Sequence, residues 1–179
     1  MTRIPYPDPA TLSPEKQDVL SGREVRVLNV IRMAMHAPDP FWAAQRQLGR
    51  ASAIHTSISD ADREIVVLRV GYMSASEYEV FHHASLARAA GLTQDAIAAL
   101  ESGDFAALDP HQAVLAQFVT ELVRDITPAD DTLAAMRAEF ADPQVFEVIA
   151  ILGYYMMVAR LLATGGVELD AEAVTGWKR

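Results

Sequence analysis

Glu64, Glu79 and His83 are the side chains in this sequence whose types and spacing suit proton transfer. Glu79 and His83 stand four apart in SASEYEVFHH (residues 74–83), so on a helix they fall on one face. Glu64 stands in DREIVVLRVGY, where helical spacing groups it with Val67, Leu68 and Gly71. A carboxylate that points with apolar residues must be paired, hydrogen-bonded or protonated, because an unpaired buried charge is too costly. Imidazole, with an unperturbed pKa of about 6.5, gives and takes protons near neutrality.

Simpler readings stand beside this one. Glu79 and His83 as a plain i,i+4 pair would contribute a few tenths of a kcal/mol. Glu64 alone would serve as an ion-pair partner. Glu64, Glu79 and His83 offer oxygen and nitrogen ligands, so a metal is chemically possible, but none is assigned. His82 and His83 are adjacent, about 100° apart on a helix, and make a poor ligand pair. Three inward polar groups on adjoining helices point to function more strongly than any one of them.

On a wheel of 75–90, Val80, Ala84, Ala87 and Leu86 form an apolar arc that contains Glu79 and His83. His82 falls at its edge, and Glu77, Tyr78, Ser85, Arg88 and Ala89 lie opposite. Arg32 and Arg160 are cations on otherwise apolar helices, suited either to clamping a substrate carboxylate or to snorkelling. His36 and His55 lie near helix ends and read as capping or surface residues. Tyr154, Met157 and Leu161 form a core stripe whose tyrosine can line a cavity. No Walker A, GxGxxG, HExxH or GxSxG pattern is present.

The elements that must position these groups read as helices throughout. The pattern predicts helices over 24–36, 39–52, 59–73, 75–90, 93–101, 109–126, 129–139 and 142–163, after an extended proline-bearing arm over 1–15. Ser59 with Asp62 resembles a capping box, Gly91 closes one helix, Thr93 caps the next, and Pro110 sits at a helix start. Gly165 and Gly166 end the last long helix. The connection over 73–75 is short enough for the helices bearing Glu64 and His83 to meet. The expected architecture is one all-α domain of packed helices, with an N-terminal arm over 1–20 and a helical domain over 21–179.

Composition sets outer limits. A chain of 179 residues suits one domain and buries about 70% of its unfolded surface without staples. The net charge of −9 argues against nucleic acid and against an anionic membrane surface. There is no cysteine, which excludes disulfides, thiolate metal ligands and thiol nucleophiles and fits the cytoplasm. MTRIPYPDPATLSPEK is no signal peptide, and the run VIAILGYYMMVA is too short to span a bilayer.

The spacing Glu64, eleven residues, Ser76, two residues, Glu79, three residues, His83 resembles the carboxymuconolactone decarboxylase family, which includes the alkylhydroperoxidase D-like proteins. The redox branch has cysteines where this chain has Ser76 and Glu79. The stretches LNVIRMAMHAPDPFWAAQRQLGRA, DADREIVVLRVGYMSASEYEVFHHASLARAAGLT and FEVIAILGYYMMVARLLATGGVEL also look like family counterparts, so the resemblance spans roughly residues 25–170. It implies an alkylhydroperoxidase D-like helical bundle that assembles as a homotrimer or homohexamer. It also implies a cofactor-independent decarboxylase acting on a small carboxylated lactone or β-keto-type acid, as in aromatic compound catabolism. Isomerisation and lactone opening use the same groups. Serine and glutamate cannot cycle as a thiol pair, so thiol peroxidase activity is excluded. In this reading His83 is the general acid/base, Glu64 orients it, and Glu79 is a second proton-transfer group. Ser76, Arg32, Tyr72 and His82 are candidates for substrate binding. A non-catalytic, ligand-binding oligomer is the alternative.

Overall fold

The Ser59 hydroxyl starts the helix around which the molecule is built. It accepts from the Asp62 amide at 3.0 Å and donates to the Asp62 carboxylate at 2.7 Å, satisfying an orphan donor of the first turn. A computed structural model describes residues 2–22 and 26–176 of the chain. Among them lie nine α-helices, two short 3-10 turns and no strand. The helices are α1 Pro14–Leu20, α2 Asn29–Ala34, α3 Asp39–Ile54, α4 Asp60–Met73, α5 Glu77–Ala89, α6 Gln94–Ser102, α7 Pro110–Asp125, α8 Asp130–Glu139 and α9 Asp142–Gly165.

α4 is the core helix. Its residues 62–71 are all buried, and it packs against α5, α6, α7 and α9. Ile65, Val66, Val67, Leu68 and Val70 are fully enclosed, with Leu100, Leu115, Phe118, Met136 and Val148 around them. A helix covered on all sides leaves its polar residues no route to water, so each needs a protein partner.

α5 folds back on α4 through Ser74, Ala75 and Ser76. The turn puts Ala75 at φ +50°, in the left-handed region, and Ser76 donates its amide to the Gly71 carbonyl at 2.8 Å. α5 packs over Gly71: a Cβ there would make ordinary contact, 3.4 Å from the Val80 side chain and 3.5 Å from Glu79 Cβ. The hairpin runs antiparallel, so a residue early in α4 meets one late in α5.

The punctuation falls where the sequence places it. Thr93 caps α6 by accepting from Ala96, Pro110 opens α7, and Gly166 ends α9 at φ +63°. Two expectations need correction. The arm over 1–15 is not wholly extended: it carries a 3-10 turn at Pro9–Thr11 and begins α1 at Pro14. It is tied down by the amides of Arg3 and Ile4 on the Gly165 carbonyl and by the Lys16 ammonium on the Ala37 carbonyl. The helix expected over 24–36 begins at Asn29, since residues 26–28 are not helical and residues 24 and 25 lie outside the described set. The apolar run over 148–159, expected to be too short to span a bilayer, lies within the 24-residue α9, which is long and apolar enough to cross a membrane by length and composition; Val145, Val148, Ile151, Leu152, Tyr155 and Leu162 bury one side of it in the protein.

Candidate functional site

Glu64 and His83 meet inside the α4–α5 hairpin. His83 Nδ1 and Glu64 Oε2 lie 2.6 Å apart, with Glu64 fully buried and His83 nearly so. The other Glu64 oxygen accepts from Arg63 Nε at 3.0 Å, and Arg63 donates in turn to Asp60 at 2.7 Å. The result is a relay Asp60–Arg63–Glu64–His83, in which each charge has an opposite or hydrogen-bonding neighbour. Glu64 and Asp60 keep the Arg63 guanidinium charged despite its burial. The Tyr155 ring, from α9, stands edge-on to the His83 imidazole at 5.0 Å between centroids. Burial, reinforced by Glu64, Tyr154 and Glu79, holds the Tyr155 phenol well above its usual range.

Glu79 lies one turn before His83 and is equally enclosed, at 2% exposure. Among the described residues neither of its carboxylate oxygens has a hydrogen-bond partner, and the buried Ser76 hydroxyl has none either. Burial pushes the Glu79 carboxyl up to about 7; Ser76 lies near enough to oppose the rise, though no hydrogen bond of normal geometry joins them. Glu79 in turn helps to raise Tyr154 to about 12, after the larger effect of burial. The site therefore holds an imidazole tied to one carboxylate and a second carboxyl that changes protonation near neutral pH. Such a pair divides acid and base roles. The 2.6 Å between His83 and Glu64 is a hydrogen bond, closer than two ligands of one tetrahedral ion stand.

The other candidates are placed elsewhere. Arg32 stacks on the Tyr6 ring at 4.4 Å and reaches Asn29. Tyr72 packs half-buried against the core near Glu101 and Arg88. Arg160 is exposed and donates to the Met156 carbonyl of its own helix. His82 is buried, but its Nε2 meets Asp170 Oδ2 at 3.1 Å, away from the Glu64 relay. Tyr78, expected on the outer side of α5, is buried as well, its hydroxyl on the same Asp170 carboxylate. The segment after α9 covers that side, which a wheel of α5 alone cannot show. Arg63 and Tyr155 were not among the candidates. Arg63 was signalled by its place beside Glu64, whereas nothing local marked Tyr155.

Residues 38–121 match the Carboxymuconolactone decarboxylase family, a segment that holds Glu64, Ser76, Glu79 and His83. No curated protein matches the chain. Among solved structures, an uncharacterized peroxidase-related protein from Ralstonia eutropha JMP134, described as an alkylhydroperoxidase AhpD core, superposes with a TM-score of 0.79 at 18% identity, covering 95% of this chain and 93% of that one. An uncharacterized peroxidase-related protein from Silicibacter sp. TM1040 gives 0.78 at 18% identity, covering 94% and 91%. A protein of unknown function from Agrobacterium tumefaciens gives 0.69 at 17% identity, covering 78% and 96%. At these identities the likeness is one of fold.

Proposed function

Starting from residues 38–121 as a segment that belongs to the carboxymuconolactone decarboxylase family, we propose that this chain is a cofactor-independent lyase that works by proton transfer on a small carboxylated lactone or β-keto-type acid. The observation that carries the reading is the buried Glu64–His83 hydrogen bond beside a second, unpartnered carboxyl, Glu79. A thiol mechanism is closed to this chain, since it has no cysteine.

The chemistry divides as follows. The bond between the substrate's carboxyl carbon and its neighbour breaks, CO2 leaves, and the electron pair passes into the adjacent carbonyl as an enolate or dienolate. His83 delivers a proton to carbon from Nε2, the ring atom opposite Glu64. Glu64 fixes the tautomer by accepting at Nδ1 and stabilises the imidazolium between cycles. Glu79, protonated about half the time near pH 7, supplies the second proton position; Ser76 bonds the substrate oxygen. The reading includes a homotrimer or homohexamer. Phe41 on α3 and Phe146 and Met157 on α9 are exposed apolar side chains suited to burial between copies.

The test is CO2 release and ultraviolet absorbance change on adding γ-carboxymuconolactone, with His83→Ala alongside. Turnover by the wild type, lowered by about 10²–10⁴-fold in a folded His83→Ala, supports the reading. Unaltered turnover in the variant refutes the role of His83. A wild type that turns over neither this lactone nor a β-keto acid favours a non-catalytic ligand-binding protein.

A further inference from the structure

His82 makes two hydrogen bonds, and together they fix its protonation. Its Nδ1 faces the backbone amide of Val174 at 3.2 Å, and an amide N–H can only donate, so Nδ1 is an acceptor without a proton. Nε2 must then carry the hydrogen, which it gives to Asp170 Oδ2 at 3.1 Å. The imidazole is therefore neutral when both bonds are made. Both partners lie in the segment 167–176 that follows α9, a stretch with no helix.

That segment is held by several further bonds. Asp170 also accepts from the Tyr78 hydroxyl and from the Asn29 amide at 3.2 Å, and the Asn29 side chain donates to the Glu168 carbonyl at 3.1 Å. These anchors all lie at or before residue 170. Beyond it, Val174 on His82 and a long Arg26–Glu172 ion pair at 3.6 Å are the polar attachments among the described residues. Just after Val174, Thr175 and Gly176 form one wall of a cavity of about 110 Å³, whose other walls include Ala53, Leu86, Asp60 and Arg63. Arg63 is the residue that grips Glu64.

We propose that His82 is a latch: neutral, it holds residues 174–176 as a wall over the Arg63 side of the relay, and protonation at Nδ1 sets two donors face to face and releases Val174, Thr175 and Gly176. Asp170 stays anchored through Tyr78 and Asn29, so the movement is confined to the tip. The charges around the imidazole are Asp170 from the segment itself, His83 from α5 and Arg26 from the stretch before α2; Tyr78 of α5 is its neutral titratable neighbour. Burial, His83 and Arg26 oppose a positive charge on His82 and outweigh Asp170, so the docked imidazole titrates below its ordinary value. The released imidazole takes up a proton more readily, and falling pH therefore drives release. The importance of the latch for turnover rests on the proton-transfer reading; the latch itself does not.

The absence of cysteine allows a clean probe. Thr175→Cys, carrying a nitroxide, places one label on the exposed wall residue, and its spin mobility is recorded from pH 8 to pH 5 with far-ultraviolet circular dichroism alongside. The latch predicts an immobile label at pH 8, a mobile one at low pH with helix content unchanged, and no pH transition when His82→Gln is added. Constant mobility, a transition that persists in His82→Gln, or loss of helix at the same pH overturns it. Nitrogen-15 shifts of the His82 ring in the full chain give a second readout should His82→Gln fail to fold. A proton on Nδ1 rather than Nε2 at pH 8 refutes the latch. If the label moves as expected but no substrate turns over, the latch stands and the proposed function fails.

Discussion

Glu79 and Glu64 are both buried carboxylates, yet their surroundings make opposite predictions. Glu79 has no partner, and its pKa is raised from 4.5 to about 7 by burial, so the folded state holds its proton more tightly than the unfolded state does. Stability from this group is present below about pH 4.5 and is lost as pH rises through 7, by about 3 kcal/mol in total. Glu79→Gln removes the ionisation. Thermal unfolding should show the variant level with the wild type at pH 4 and more stable at pH 8; a wild type whose melting temperature rises from pH 5 to 8 relative to the variant contradicts the assignment. Glu64, by contrast, is hydrogen-bonded to Arg63 and His83. Glu64→Gln leaves the buried Arg63 guanidinium with Asp60 as its one ion-pair partner among the described residues, and denaturant unfolding should show a loss of about 3 kcal/mol. A loss under 1 kcal/mol would mean that the relay contributes little.

At the scale of elements, the α4–α5 hairpin carries the site, and its turn is strained. Ala75 at φ +50° sits where glycine is at ease and alanine is not. Ala75→Gly should raise stability by about 1 kcal/mol in urea unfolding, less whatever glycine adds to the freedom of the unfolded chain. A fall would show that the Ala75 methyl makes a contact worth more than the strain. The turn matters because it sets the register of the hairpin. With Gly71 against Val80 and the Ser76 amide on the Gly71 carbonyl, Glu64 and His83 arrive within hydrogen-bonding reach.

Over the whole molecule, the charge and apolar surface are unevenly used. The chain carries a net charge of −9, yet α9 leaves Phe146 72% exposed and α3 leaves Phe41 75% exposed. Light scattering at micromolar concentration should report a mass that is a multiple of 19.5 kDa, three or six copies. Phe146→Asp should lower it, because an unpaired charge resists burial between copies. A mass of 19.5 kDa for the wild type overturns the assembly.

The sequence by itself determined the all-helical class, because apolar residues recur at helical spacing, Ser59, Thr93 and Gly166 act through bonds to residues three or four away, and Pro110 opens its helix with a fixed φ and no N–H to satisfy. It also determined that Glu64, Glu79 and His83 point inward, since face follows from position along one helix. It excluded thiol chemistry outright, by the absence of cysteine. Only the tertiary structure decided which inward groups pair. Glu64 and His83 are 19 residues apart, and whether they touch depends on the crossing at Gly71. It alone showed that Glu79 is left unpartnered, and that Tyr78 and His82 are buried by Asp170 and Val174. Those contacts join residues about 90 apart. Periodicity carries no information about them, because it describes one element's own faces and not what the rest of the chain lays against each.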